Sequence, residues 1–351
     1  MTKVLFTGAT GLLGRYFLLK TPSKFQVIGT YHKNPNFKHN NFLKLDVVNK
    51  KEVVSLFERI NPDIVVHAAS LGNVDYCETH EDDAYDVNVK GTENILNACK
   101  RVNAKIIFTS SNAVYDGNNA PYSETSNRKP LDVYGKTKMK SEDLILDSNI
   151  PFNVVRLMTM YGWPNEGGRS NPASWIVDEL KNKRRVSVVT DIFNNHLYAG
   201  QATQLLWEII KRNKQNEIYN VSGGECISRY DLALKVAEVF GLNKSFITPV
   251  KSDFFKMGTW IDVLEFIRVR GHDTGKLEKR WQHTVIRLES PNMADWKLAV
   301  IEAEALTEEV LARMGFNGES FGERLKKMKP DQLPSLDDLT NAHQIRNNIV
   351  H

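Results

Sequence analysis

Lys3-Val-Leu-Phe-Thr-Gly8-Ala-Thr10-Gly11-Leu12-Leu13-Gly14 decides how the rest of the chain is read. A short apolar run ends in clustered glycines, and Leu12, Leu13, Tyr16 and Phe17 then recur at helical spacing. The order is strand, tight turn, helix. Gly8 permits the turn, Gly11 lets a pyrophosphate approach bare backbone, and Gly14 lets the helix lie close to the strand. The N-terminus of such a helix points unpaired N–H groups and the positive end of its dipole at phosphates. The spacing is G-x-x-G-x-x-G rather than G-x-G-x-x-G, so the flanking strand and helix make the reading, not the glycines alone.

Outward from this turn, strands and helices alternate. Strands are predicted at 26–30, 41–45, 64–67, 105–109 and 152–157, with helices at 50–60, 86–102 and 134–146 between them. Apolar runs this short, separated by helices, predict right-handed crossovers and a Rossmann-like, doubly wound parallel sheet of order 3-2-1-4-5-6. Ligands of such sheets sit at the carboxyl ends of the strands. Beyond Trp163, helices at 171–182, 201–212 and 228–240 and strands at 186–189 and 218–221 predict a smaller substrate lobe. After Ser252 the pattern becomes helical only. The expected organisation is therefore an α/β domain over 1–257, with its Rossmann core at about 1–160 and its lobe mainly at 161–257. A linker over 258–275 and a separate α-helical C-terminal module over 276–351, a bundle that a further helix would close, complete it. In that module Trp296, Val300, Ala303, Val310, Leu311 and Met314 fall near one face ahead of Gly315. Ser320-x-x-Glu323 and Ser335-x-x-Asp338 read as helix starts.

Composition narrows the function classes. The 351 residues are 41% apolar, enough for a real core, and the net charge of +4 is too small to argue for nucleic acid. Cys77, Cys99 and Cys226 lie far apart without metal-ligand spacing, so they read as plain thiols in a reducing compartment and no metal is expected. No apolar run approaches the roughly 20 residues a membrane helix needs. The N-terminus runs directly into a strand, and a soluble, cytoplasmic protein is expected.

Chemistry concentrates in Tyr134-Gly-Lys-Thr-Lys138, which sets a phenol and an ammonium one helical turn apart on one face. A nearby ammonium favours phenolate, which makes the tyrosine a usable general acid and base. Thr109-Ser110-Ser111-Asn112-Ala113-Val114-Tyr115 follows the fifth strand, so a hydroxyl there stands at the sheet's carboxyl edge. Together, a glycine turn after strand 1, a serine after strand 5 and the Tyr/Lys pair opening the next helix form an ordered constellation.

With Asp46 after strand 3, His67-Ala68-Ala69-Ser70 after strand 4 and Asn88-Val-Lys-Gly-Thr92, that constellation resembles the extended short-chain dehydrogenase/reductase family. Pro62-Asp-Ile-Val-Val-His-Ala-Ala-Ser70, Asn73-Val74-Asp75, Val114-Tyr-Asp-Gly117 and Pro130-Leu-Asp-Val-Tyr134-Gly are most similar to dTDP-4-dehydrorhamnose reductases. Non-catalytic relatives, the regulatory subunits of methionine adenosyltransferase, share much of this pattern. The resemblance covers roughly residues 1–250.

The resemblance implies that Tyr134 is the proton donor, that Lys138 tunes it and holds the nicotinamide ribose, and that Ser111 orients the substrate carbonyl. It implies a cofactor site built from Gly8, Thr10, Gly11, Leu12, Leu13 and Gly14, from Asp46 and Val47 beside the adenine, and from Ala68, Ala69, Ser70 and Thr109. Asn73, Val74, Ser111, Asn112 and Tyr134 would face the substrate. The implied reaction is hydride transfer to a keto carbon of a nucleotide-linked sugar, with a homodimer expected.

Cofactor choice has a physical handle. NAD sites place a carboxylate at the end of strand 2 for the ribose 2′-hydroxyl. Here that region is Thr30-Tyr-His-Lys33, without an acid, and Lys33 or Arg15 could meet a 2′-phosphate. NADPH is favoured, with NAD as the alternative.

The chain also departs from the pattern. Ser111-Asn112-Ala113 stands where rhamnose-type reductases carry Thr-Asp-Tyr, Thr159 aligns with a tryptophan, and the Arg-Pro segment that closes the substrate lobe is not recognisable after Ser252. His67, Cys77, Trp163 and His196 read as structural. Arg346, Asn347 and His351 form an Arg-Asn-x-x-x-His pattern similar to HEPN-type helical domains. Residues five apart on a helix diverge by about 140°, so a scaffolding or dimer role is expected of this tail before an RNA-linked one. Two other readings stay open. One is a cofactor-binding regulatory module without turnover. The other is an epimerase; a dehydratase would add an acidic pair near Ser111, which is absent.

Overall fold

The computed structural model describes residues 1–33, 42–251, 275–288, 290, 292–313, 316, 318, 320–328, 339–340 and 343–344. The first half runs β1 (Thr2–Thr7), α1 (Leu12–Leu19), β2 (Phe25–Tyr31), β3 (Phe42–Lys44), α2 (Lys50–Ile60), β4 (Ile64–His67), α3 (Val74–Thr79) and α4 (Glu81–Tyr85). A π-helical turn (Asp86–Lys90) leads into α5 (Gly91–Val102), β5 (Lys105–Ser111), α6 (Val133–Leu146), β6 (Phe152–Leu157) and β7 (Met160–Tyr161). The second half runs α7 (Pro172–Lys181), β8 (Val186–Val189), β9 (Phe193–Asn194), β10 (Leu197–Tyr198), α8 (Ala199–Arg212), β11 (Glu217–Val221), β12 (Ile227–Ser228), α9 (Arg229–Val239) and β13 (Ile247–Val250). Among the described residues three further helices follow, α10 (Gly275–Leu288), α11 (Met293–Arg313) and α12 (Phe321–Lys327).

The described chain divides into two compact units, Met1–Trp175 with Asn194–Cys226, and Ile176–Phe193 with the residues from Ile227 on. The first holds a parallel sheet of seven strands in the order β11-β6-β5-β4-β1-β2-β3. The expected order 3-2-1-4-5-6 is present, and β11 extends it. That segment was expected in the small lobe; instead Ile218 pairs with Val154 and Val221 with Leu157 beside β6.

β1 shows why its run is apolar throughout. Val4 and Phe6 face one core with Phe17, Leu206 and Trp207, while Leu5 faces the other with Val53, Phe57, Ile95 and Ile106. A strand covered on both faces loses the polar alternation of a half-exposed one. Phe17 and Trp207 stack at 4.2 Å between ring centroids, and the indole N–H donates to the Phe17 carbonyl at 3.3 Å. α2 starts where Asn49 Oδ1 accepts from the N–H groups of Lys51 and Glu52, and it stops at Asn61 in the left-handed region.

The helix expected over 86–102 begins earlier, at α4, and passes through the π-helical turn. The acidic trio Glu81, Asp82 and Asp83 opens it at the positive end of the dipole.

In the second unit β8 and β13 pair in parallel. α9 begins with a capping box between Ser228 and Asp231 and is followed by Gly241 at φ 61°. Within α11 Val300, Ala303, Val310 and Leu311 are buried as expected, and so are Leu298, Ala299, Ile301 and Leu306, so more than one face is covered. Leu306, Val310 and Leu311 pack with Phe321, Leu325, Met328 and Leu339, whereas Val300 packs with Val189 and Ile192 of the β8 region. Ser320 Oγ caps α12 by accepting from Glu323 N–H at 3.3 Å. Met314, Gly315, Ser335, Asp338, Arg346, Asn347, His351 and all of the expected linker except Gly275 lie outside the described residues. Among the described residues no helix is long and apolar enough to cross a membrane.

Candidate active site

The glycine turn is built as its spacing requires. Gly8 has φ +74°, and a Cβ there would stand 2.9 Å from the Ala69 backbone. A Cβ at Gly14 would collide with the Ala9 carbonyl, so α1 packs against the turn only without one. Gly11 is exposed, caps α1 without a side-chain bond, and is followed by first-turn N–H groups with no side-chain acceptor at the cap. Thr10 is held through its carbonyl by Asn165 Nδ2 at 2.9 Å. Leu13 is a core residue, and Leu12 is half-buried.

Beside this turn, Thr7 Oγ1 accepts from the N–H groups of Ala68 and Ala69, both at 3.1 Å, and so fixes the start of the segment after β4. Thr7 Oγ1 also lies 2.7 Å from His67 Nδ1, and His67 Nε2 lies 3.1 Å from Thr92 Oγ1. Burial pulls the His67 pKa down to about 3, with the Lys138 charge helping. His67 is thus a neutral, hydrogen-bonded structural residue, as expected. Cys77 is buried, donates to the Leu71 carbonyl, and has its pKa pushed up to about 12, which makes it an inert thiol.

β5 ends at Ser111, whose Oγ accepts from Ala113 N–H at 3.2 Å. Asp132 caps α6 by accepting from Gly135 N–H at 2.5 Å, and Glu78 accepts from Val133 N–H at 2.6 Å. These contacts fix the helix start that carries Tyr134. The tyrosine is half-buried, and desolvation pushes its pKa up to about 12, against the phenolate-favouring effect expected of Lys138. The hydroxyls of Ser111 and Ser70 stand close enough to oppose part of that rise. Ser70 Oγ is buried and has no hydrogen bond of normal geometry among the described residues.

Lys138 is buried, donates to the Thr109 carbonyl at 2.9 Å, and lies 5.9 Å from the centre of the Tyr134 ring. Burial lowers its pKa to about 8, and the Glu142 carboxylate one turn further on opposes that fall. Glu142 is fully buried and takes three hydrogen bonds of 2.7–3.2 Å from Arg156 and one of 3.1 Å from Arg128. Arg156 also reaches the Tyr115 hydroxyl at 2.6 Å.

Ser111, Tyr134 and Lys138 therefore meet at the carboxyl edge of the sheet. The remaining predicted positions have mixed surroundings. Asp46 accepts from Val48 N–H, and its other oxygen is 3.9 Å from His32 Nε2; Val47 is in the core. Lys33 is exposed at the end of β2. Asn73 caps α3 with its side chain, accepting from Asp75 and Tyr76, and Val74 is half-buried. Asn112 is half-buried in a short 3-10 turn. Among the described residues no group of His, Cys, Asp or Glu side chains could hold a metal ion.

A family model described as "RmlD substrate binding domain" matches residues 1–258. The chain belongs to this family. A dTDP-4-dehydrorhamnose reductase of Aggregatibacter actinomycetemcomitans is 31% identical over 67% of this chain and 78% of its own. Methionine adenosyltransferase 2 subunit beta of Rattus norvegicus is 28% identical over 71% of this chain and 75% of its own. A solved dTDP-4-dehydrorhamnose reductase from Bacillus anthracis, in complex with NADP, superimposes with TM-score 0.64 at 24% identity, covering 73% of this chain and 86% of that one. That likeness shows the fold.

Three residues around Ser111, Tyr134 and Lys138 were assigned no individual role from the sequence, although Asn88 and Gly135 stand in the quoted motifs. Asn88, in the π-helical turn, accepts from Leu71 N–H and donates to the Leu71 carbonyl and to Thr137 Oγ1, tying the segment after β4 to α6. Gly135 lies against the Ala113 carbonyl. Glu142 underlies Lys138. Glu142 alone had a local signal, an acid four residues past a lysine on a face that α6 buries.

Proposed function

We propose that the chain is an NADPH-dependent reductase of a nucleotide-linked 4-keto sugar. The observation that carries this reading is the meeting of Ser111, Tyr134 and Lys138 beside a glycine turn fit for a dinucleotide. The fit rests on bare backbone at Gly8 and Gly11, a helix end without a side-chain cap, and the buried Ser70 hydroxyl, which has no hydrogen bond of normal geometry among the described residues. Gly8, Gly11 and the first-turn N–H groups of α1 would hold the pyrophosphate, with Gly14 letting α1 pack against the turn and Ala68, Ala69 and Ser70 running beside the cofactor. Bound reduced nicotinamide would supply the hydride.

The protein's own part is proton placement. With its pKa at about 12, Tyr134 stays protonated at neutral pH and can donate to the substrate carbonyl oxygen. Ser111 Oγ spends an acceptor site on Ala113 N–H and keeps its own O–H to orient that oxygen. The Lys138 ammonium stabilises the phenolate left behind, which is reprotonated from solvent.

Lys33 supports NADPH over NADH. No carboxylate follows β2 in Thr30-Tyr-His-Lys33, and Arg15, the other candidate for a 2′-phosphate, donates to the Pro164 carbonyl.

Purified protein given NADPH and a dTDP-4-keto-6-deoxy sugar should consume the cofactor. Tyr134→Phe should slow this by about 10²- to 10⁴-fold and leave NADPH affinity unchanged. Cofactor binding without turnover across a panel of keto sugars would favour a regulatory role. The methionine adenosyltransferase subunit among the relatives supports that second reading, as does Asn112-Ala113 in place of the reductase residues.

A further inference from the structure

Arg229 is the first residue of α9 and is only 6% exposed. Its Nε is sealed from solvent without an acceptor, and its guanidinium makes no hydrogen bond or ion pair among the described residues. The nearest acid along the helix is occupied elsewhere: Asp231 accepts from Ser228 Oγ at 2.6 Å and from Ser228 N–H at 3.3 Å. The backbone N–H of Arg229 goes to the Ile192 carbonyl at 3.0 Å. A guanidinium taken out of water is destabilising unless an anion meets it. Among the described residues no charged group faces it, and burial lowers its pKa to about 10, which leaves the group cationic at neutral pH.

We propose that Arg229 and the N-terminal turn of α9 form a binding site for a phosphate-bearing anion. A guanidinium presents a planar fork that matches phosphate oxygens two at a time. The dipole of this 11-residue helix adds positive potential at the same end, offset in part by the Asp231 carboxylate of the capping box, so the guanidinium is the main attraction for the anion. Two sources carry that chemistry, the diphosphate of a nucleotide sugar and free inorganic phosphate or pyrophosphate. The proposal does not require the chain to be a reductase.

The test uses the full chain in phosphate-free chloride buffer, as wild type, Arg229→Gln and Arg229→Met. Inorganic pyrophosphate and dTDP-glucose are titrated by calorimetry, and melting is followed with and without each. Pyrophosphate should bind the wild type and raise its Tm, and both variants should bind it at least about tenfold more weakly. In chloride alone the variants should melt no lower than the wild type, because no protein partner is lost. If dTDP-glucose affinity falls in parallel, the anion is the diphosphate of a nucleotide sugar. If dTDP-glucose is unaffected while pyrophosphate binding is lost, the site takes free phosphate. Equal pyrophosphate binding by all three proteins overturns the proposal. So does a lower Tm of both variants in chloride, since it would mean that the chain neutralises Arg229 itself. Because neither arm reads NADPH oxidation, failure here leaves the reductase reading intact.

Discussion

Gly135 lies so close to Ala113 that a Cβ built on it would overlap the Ala113 carbonyl oxygen. The absent side chain lets the first turn of α6 press onto the turn that follows Ser111. Tyr134 precedes Gly135, so this approach is what brings phenol and serine hydroxyl together. Gly135→Ala should push them apart and lower the reduction rate by about 10²-fold, the usual cost of misplacing a reacting group by an ångström. NADPH affinity should stay near that of the wild type. Steady-state rates beside NADPH titration would check this, and an unchanged rate would show that the contact does not position Tyr134.

Lys138 sets a pH limit. Its pKa falls from the ordinary 10.5 to about 8, so its charge is present below that value and lost above it. Tyr134, at about 12, keeps its proton throughout. The value of kcat/KM for reduction should therefore be level at neutral pH and fall as pH rises through about 8. A pH profile of the free enzyme reads this directly. Lys138→Arg, which cannot titrate in this range, should remove the break in whatever activity it retains.

Glu142 should matter twice over. Glu142→Gln leaves the buried Arg156 guanidinium without its carboxylate, a change that costs about 3–5 kcal/mol in comparable buried pairs. Chemical denaturation measures that loss. In the fraction that folds, the pH break of Lys138 should move downward, because Glu142 is what opposes the fall in its pKa.

Lys33→Ala should weaken NADPH binding by about tenfold and leave NADH untouched, as expected for one exposed charge–phosphate contact. Parallel titrations with the two cofactors decide it. Equal losses for both would place Lys33 away from the 2′-phosphate.

The parts of this site that were legible in the sequence are those set by local spacing. The turn from Gly8 to Gly14 declares itself within seven residues, Tyr134 and Lys138 within one helical turn, and Ser111 by standing at the end of an apolar strand. The strand order followed from the one permitted hand of parallel crossovers. Glu142 and Arg156 were invisible for the opposite reason. They stand on different elements, and only the packing of α6 over β6 makes Arg156 more than a polar interruption in Val154-Val155-Arg156-Leu157. The π-helical turn at Asp86–Lys90 has no sequence period of its own, so Asn88 entered only as part of the family pattern, without its bonds to Leu71 and Thr137. β11 was placed in the lobe because a strand of five residues does not reveal which sheet it joins.

The stretch matched by the family ends at residue 258, yet Val300 lies 42 positions beyond it and shields Val189 and Ile192. Trimming the protein to its recognisable part would strip oily surface bare on the strand region next to α9. A shortened version made for convenience would thus be expected to clump, and α11 is better thought of as borrowed insulation than as a passenger.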